Sequence, residues 1–178
     1  LEAGFLLGDL LFIPEILLLL NRLFKPNTRK LGVQEIAIAR TIFGENIDYQ
    51  KIRIDERSLI GCRQFHFAYV GFNCINCWGS LSNTHFIHEL VHVWQFQTLG
   101  SLYIPRALWA QRTAEGYNYG GVQALESAAE AGGDLSAFNF EQQGDIVADF
   151  YCLKTGLKPR WCVGDATYLP VFEKIVRF

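Results

Sequence analysis

The chain is short of excess basic charge, of long uninterrupted apolar runs and of histidine, and each shortage narrows what it can be. Its 178 residues carry 16 Lys and Arg against 18 Asp and Glu, a net charge of −2. With a pI near 6.1 there is no electropositive footprint for a polyanion, so nucleic acid is set aside as a partner. Residues 5–24 are strongly apolar, but Asp9, Pro14 and Glu15 interrupt them before they reach the roughly 20 residues of a spanning helix. They also lack the basic start and small-residue cleavage site of a secretory leader. What remains for this stretch is a packing helix, a docking segment for a partner, or contact with a membrane interface. Residues 1–30 therefore read as an apolar N-terminal segment closed by the polar break Lys25–Lys30, ahead of one domain over 31–178.

The five cysteines are odd in number and sit in a chain too large to depend on a disulfide framework. Cys74 and Cys77 form a CxxC with no second pair to complete a zinc ribbon. Trp78, Gly79 and Ser80 follow where a thioredoxin-type site would begin its helix, so the pair reads as ordinary thiols. No internal repeat or low-complexity tract is present. Half of the chain is hydrophobic and 14% aromatic, enough for a sizeable core.

Of only four histidines, three fall at His85, His88 and His92. The run His88-Glu89-Leu90-Val91-His92 is an HExxH. On an α-helix residues i and i+4 share a face one turn apart, so both imidazoles can reach a single metal ion with Glu89 beside it. Ile87, Leu90, Val91 and Trp94 supply the packing stripe on another side. Ser82, Asn83 and Thr84 are competent N-caps for this helix, and Gly100 is its stop signal.

Around it the periodicities predict a helix from Val33 to Phe43 ended by Gly44, and extended segments at Ile47–Ile54, Gln64–Phe72 and Ile75–Trp78. Further helices are expected near 104–114, with Pro105 in the first turn, and near 122–131, 138–153 and 170–176. The third of these puts Glu141 and Asp145 one turn apart, with Gly144 and Ala148 small enough for a close helix approach.

A catalytic zinc usually takes three protein ligands and keeps a fourth position open. No histidine follows His92, and Thr98 stands where HExxHxxGxxH would need one, so the third ligand is expected to be a carboxylate. Glu141 is the leading candidate. HExxH followed by ExxxD on a later helix resembles the gluzincin metallopeptidases. That resemblance implies His88, His92 and Glu141 as Zn2+ ligands, Glu89 as general base, and Asp145 as the group that holds a ligand histidine. Tyr119 leads Tyr117, Tyr103 and Arg106 as the donor to a developing oxyanion. Three blocks, Ile42–Ile54, Phe86–Gln95 and Phe140–Val147, further resemble the small zincin-like proteins of bacterial contractile injection systems, Vgr-related proteins among them. The fold implied is α+β and zincin-like, with a small mixed sheet packed on the HExxH helix and the Glu-bearing helix. The function implied is zinc-dependent hydrolysis of a peptide or protein substrate, with the 72–78 region as the edge strand that would pair with it. The alternative is a non-catalytic scaffold or cargo module that assembles with injection-system components, in the bacterial cytoplasm or exported. A thiol-disulfide role for Cys74 and Cys77 ranks last, because it leaves the HExxH and ExxxD unused.

Overall fold

The computed structural model describes residues 2–11, 16, 28–58, 62–65 and 67–178. It is α+β, and the chain divides into two compact units, one made of 1–82 and 92–105, the other of 83–91 and 106–178.

The first unit holds a four-stranded mixed sheet of order β1-β2-β4-β3, built from β1 (Arg29–Lys30), β2 (Arg53–Asp55), β3 (Tyr69–Gly71) and β4 (Cys74–Asn76). β2 pairs with β1 antiparallel and with β4 parallel, and β4 pairs with β3 antiparallel. Within the 72–78 stretch, expected as an edge strand, Cys74–Asn76 is thus interior, paired with β2 on one side and β3 on the other. Phe72 and Asn73 form the two-residue turn between β3 and β4. Such turns favour positive φ, and Phe72 adopts φ 60 with its ring held edge-on against Phe96 at 5.5 Å. Ile52 and Ile75 lie fully buried with Phe43 of α2 (Val33–Phe43), each such side chain contributing about 1.5–3 kcal/mol of burial. α2 ends at Gly44 as its sequence predicts, with φ 53 there.

Two expected strands are much shorter than their patterns. Only Arg53–Asp55 of the first is extended, because Asp48 accepts the N–H of Gln50 and folds the preceding residues into turns. In the second, Cys62–Phe65 is a short helix, α3, and Phe65 and Phe67 are exposed. The alternation there had no facing layer to bury it. Arg29 and Lys30, expected in a polar break, instead form β1, and residues 25–27 lie outside the described residues.

Arg29 also bridges Glu35 at the start of α2 and Glu56 after β2, both at 2.7 Å. Its hydrogen bonds hold the Glu35 carboxyl below the ordinary value of 4.5. These groups are partly solvated, so Arg29→Ala is expected to cost only about 0.5–1 kcal/mol in urea unfolding at neutral pH. A depressed carboxyl stabilises the fold above its unfolded value and loses that contribution as pH falls through its folded one. The gap between wild type and variant should therefore close in acid.

The larger part of the apolar 5–24 segment lies outside the described residues. Its beginning is α1 (Glu2–Leu10), with Leu6, Leu7 and Leu10 exposed. Asp9 on α1 accepts from the backbone N–H and the hydroxyl of Ser101, the latter at 2.6 Å. Among the described residues no helix is long and apolar enough to cross a membrane.

The second unit is helical. α4 (Asn83–Leu99) begins in it and runs unbroken into the first unit. A short 3-10 turn leads to α5 (Tyr103–Ala110), followed by α6 (Gly121–Glu130), α7 (Phe140–Thr155) and α8 (Leu169–Ile175). Asn139 caps α7, accepting from the N–H groups of Glu141 and Gln142 while Gln142 bonds back to Asn139. Gly156 ends α7 in the left-handed conformation, which reverses the chain toward residues 160–162. Phe172 of α8 stacks on Phe150 of α7 at 6.1 Å.

Candidate metal centre

α4 is buried almost all round near its middle, so the HExxH side chains sit in the interior: Glu89 is 2% exposed. His88 faces α7 across Gly144. A Cβ at 144 would fall 2.6 Å from His88 Cε1, so a glycine is what permits this approach. The small-residue reading of Gly144 has its reason here.

His88, His92 and Glu141 each offer one ligand atom, and these atoms lie within 4.8 Å of one another. Because α4 is continuous, the helix itself sets His92 one turn beyond His88. The Nδ1 of His88 lies 2.7 Å from Asp145 Oδ1, and its Nε2 lies 3.5 Å from Glu141 Oε2. That second spacing suits two ligands of one tetrahedral zinc, which with bonds near 2.1 Å stand about 3.4 Å apart. His92 is held likewise, its Nδ1 2.8 Å from Gln95 Oε1. With Nδ1–H donated outward, Nε2 of each ring keeps its lone pair for a metal. Gln111 Nε2 donates to Glu141 Oε1 at 2.8 Å, leaving Oε2 as the oxygen toward His88. Glu141 also stands in the first turn of α7, where the helix dipole favours a carboxylate.

Glu89 completes the group. Its Oε1 is 3.2 Å from His85 Nε2, whereas its Oε2 is buried with no hydrogen-bond partner among the described residues. A buried carboxylate oxygen left unmatched beside two imidazoles and a second carboxylate fits a site made for a cation and its water. Burial drives the His88 imidazole down, but Asp145, Glu141 and the charge of Glu89 outweigh it and push it up to about 10.

The two tyrosines of the 115–121 loop are used differently. Tyr119, expected as an oxyanion donor, is buried and donates its hydroxyl to Asp149 Oδ2 at 2.7 Å. Tyr117 instead has its ring 5.9 Å from that of His88. Asn139 Nδ2 bonds Gly116 O and Gln142 Nε2 bonds Asn118 O, so the cap of α7 also fixes the residues on either side of Tyr117. Tyr103 donates to Val70 O in the first unit.

Asp149 lies one turn beyond Asp145 and is 1% exposed. It accepts the backbone N–H of Arg160, Trp161 and Cys162 as well as Tyr119. Burial pushes its carboxyl up despite these donors. The segment so anchored returns Trp161 Nε1 and Arg160 Nη1 to Asp145 Oδ2. Gln95, Gln111, Arg160 and Trp161 were not singled out from the sequence, and Tyr117 stood there only behind Tyr119. Gln95 had a signal, its spacing three residues after His92 on a helix; the others come from loops with no periodicity.

Cys74 and Cys77 are both buried, as are Cys62, Cys152 and Cys162, and none of the five is joined in a disulfide.

No family model matches the chain. It is 30% identical over 138 residues to the type VI secretion system spike protein VgrG2b of Pseudomonas aeruginosa, a match covering 71% of this chain. The chain spans 13% of that protein's length. The solved structure of the effector domain of Pseudomonas aeruginosa VgrG2b shares the fold, with a TM-score of 0.55, 23% identity and 84% of each chain covered. A sequence match of this extent, carried by a common α+β fold, makes the chain a homologue of part of a bacterial secretion spike protein.

Proposed function

We propose that the chain is a zincin-like effector module of the kind carried by type VI secretion spikes, and that it hydrolyses peptide bonds with a zinc ion held by His88, His92 and Glu141. The observation that carries the chemistry is the convergence of those three ligand atoms beside the unpartnered Oε2 of Glu89. Similarity to the VgrG2b effector domain supports the cargo role independently of any chemistry. The proposed partners are thus secretion-system components and a peptide or protein substrate.

A bound zinc would supply Lewis acidity, lowering the pKa of a coordinated water toward about 7 and polarising a carbonyl. The rest falls to the chain's own groups. Glu89 takes the water's proton on Oε2 and returns it to the leaving amine. Asp145 and Gln95 fix the two rings through Nδ1. Tyr117, its ring beside that of His88, is better placed to donate to the developing oxyanion than Tyr119, whose hydroxyl is committed to Asp149.

The test is metal content by mass spectrometry with hydrolysis of a fluorescent casein. Wild type should hold about one zinc per chain, matching the one such three-ligand group among the described residues. Glu141→Ala should lose the metal. Glu89→Gln should keep it and lose hydrolysis by at least about 100-fold. Zinc at full occupancy without hydrolysis, unchanged by Glu89→Gln, would favour the second reading, a non-catalytic cargo module, which the likeness to the spike effector domain supports. No zinc in wild type, even after supply, would sink the metal reading.

A further inference from the structure

From the same site, and resting on the zinc-hydrolase reading above, we infer that Arg160 receives a carboxylate of the substrate. Three observations converge on it. The main chain is fixed, since the N–H groups of Arg160, Trp161 and Cys162 all end on Asp149, the first at 2.6 Å. The guanidinium is oriented too: its carbon lies 4.8 Å from the Trp161 ring and 5.8 Å from the Tyr117 ring, with Nη1 3.3 Å from Asp145 Oδ2. It is nevertheless open, with the side chain 62% exposed and Nε and Nη2 without a protein partner among the described residues.

A counter-ion role for Asp145 does not account for this arrangement. Asp145 Oδ1 is matched by His88 and Oδ2 by the shorter bond from Trp161 Nε1, so both oxygens are satisfied without the arginine. What the stacking does is hold a planar donor fork with one edge to solvent. That geometry suits bidentate capture of a carboxylate, with most of the ordering cost already met in the free protein. The distance also fits a substrate lying at the metal. The His88 ring and the Arg160 guanidinium both lie within 6 Å of the Tyr117 ring. The separation is therefore spanned by a few residues of extended peptide at about 3.3 Å each. The carboxylate is either the substrate's C-terminus or an Asp or Glu side chain near the cleaved bond.

Three peptides separate these sources: acetyl-tetra-alanine with a free C-terminus, the same peptide as the amide, and the amide with glutamate at the third position. Each is titrated into zinc-loaded wild type, Arg160→Gln and Arg160→Lys, and binding is read from initial quenching of tryptophan fluorescence. At least one carboxylate peptide should bind wild type about tenfold or more tightly than the all-alanine amide, as a charge-assisted pair requires. Arg160→Gln should lose that preference and Arg160→Lys keep part of it. Which carboxylate peptide is favoured identifies the source. Equal affinity of all three peptides for wild type, absence of binding, or a preference that survives in Arg160→Gln would each overturn the role of Arg160. The wild-type comparison and the lysine variant decide the matter even where the glutamine variant does not fold. Zinc content of the same samples keeps the two readings apart. Wild type without zinc overturns the hydrolase reading itself, whereas about one zinc per chain without a carboxylate preference overturns the arginine's role alone.

Discussion

Gly144→Ala is expected to remove zinc binding almost entirely while leaving a folded protein. The added methyl would stand 2.6 to 2.9 Å from three atoms of the His88 ring, inside any tolerable contact. The ring has no easy retreat, for it is buried and bonded on one side to Asp145 and on the other to Glu141, both on the same helix as residue 144. Either the imidazole leaves Asp145 and its ligand position, or α7 shifts away and takes Glu141 with it. Each route loses a ligand, and a loss of affinity of at least about 100-fold follows, since disturbing only an outer partner already costs 10–100-fold. Competition against a chromophoric chelator measures it. Stability makes the result interpretable: in an open helix position alanine would be about 1 kcal/mol better than glycine, whereas overpacking costs about 1–3 kcal/mol. A variant with raised melting temperature and unaltered zinc affinity would show that the two helices have room to spare.

The second large effect is on folding. Asp149→Ala should destabilise the protein by about 3–5 kcal/mol in urea, because it leaves several buried donors without an acceptor. Asp149→Asn should be nearly as damaging. All four partners of Asp149 are donors, and three of them converge on Oδ2. An amide keeps the shape but turns one acceptor oxygen into a further donor. If the asparagine variant unfolds at the wild-type urea concentration, shape rather than acceptor count holds the 160–162 segment. The same variants should loosen Trp161 and Arg160 from Asp145, so zinc affinity is expected to fall alongside stability.

These two aspartates show where the sequence was readable. Residues fixed by helical period were open to inspection: His88 and His92 on one face, Glu141 and Asp145 on another helix, and the small Gly144 between them. The caps were equally plain, with Gly44 and Gly100 ending the helices that their positions suggested. What Asp149 holds was not visible, because its donors come from a loop 11 to 13 residues on, brought back only by the reversal at Gly156. Strand reading failed for the opposite reason. Alternation at Phe65 and Phe67 is a local pattern, whereas a strand needs a neighbour and a layer to cover it. The choice between Tyr117 and Tyr119 lay beyond pattern as well. Positive φ at Gly116, Gly120 and Gly121 turns the chain around the pair, so two residues of separation do not put both rings on one side.

The buried thiols bear on how zinc affinity can be measured. In the folded chain all five cysteines are enclosed, and burial raises the Cys152 and Cys162 thiols, so they hold their protons and compete poorly for metal. Unfolding releases all five, and the denatured chain becomes a zinc ligand in its own right. Thermal shift on adding zinc will then understate the affinity of the native site, because part of the linkage is cancelled by binding to the unfolded state. Chelator competition on the folded protein is free of that error, and replacing the cysteines should enlarge the thermal shift without altering the affinity so measured.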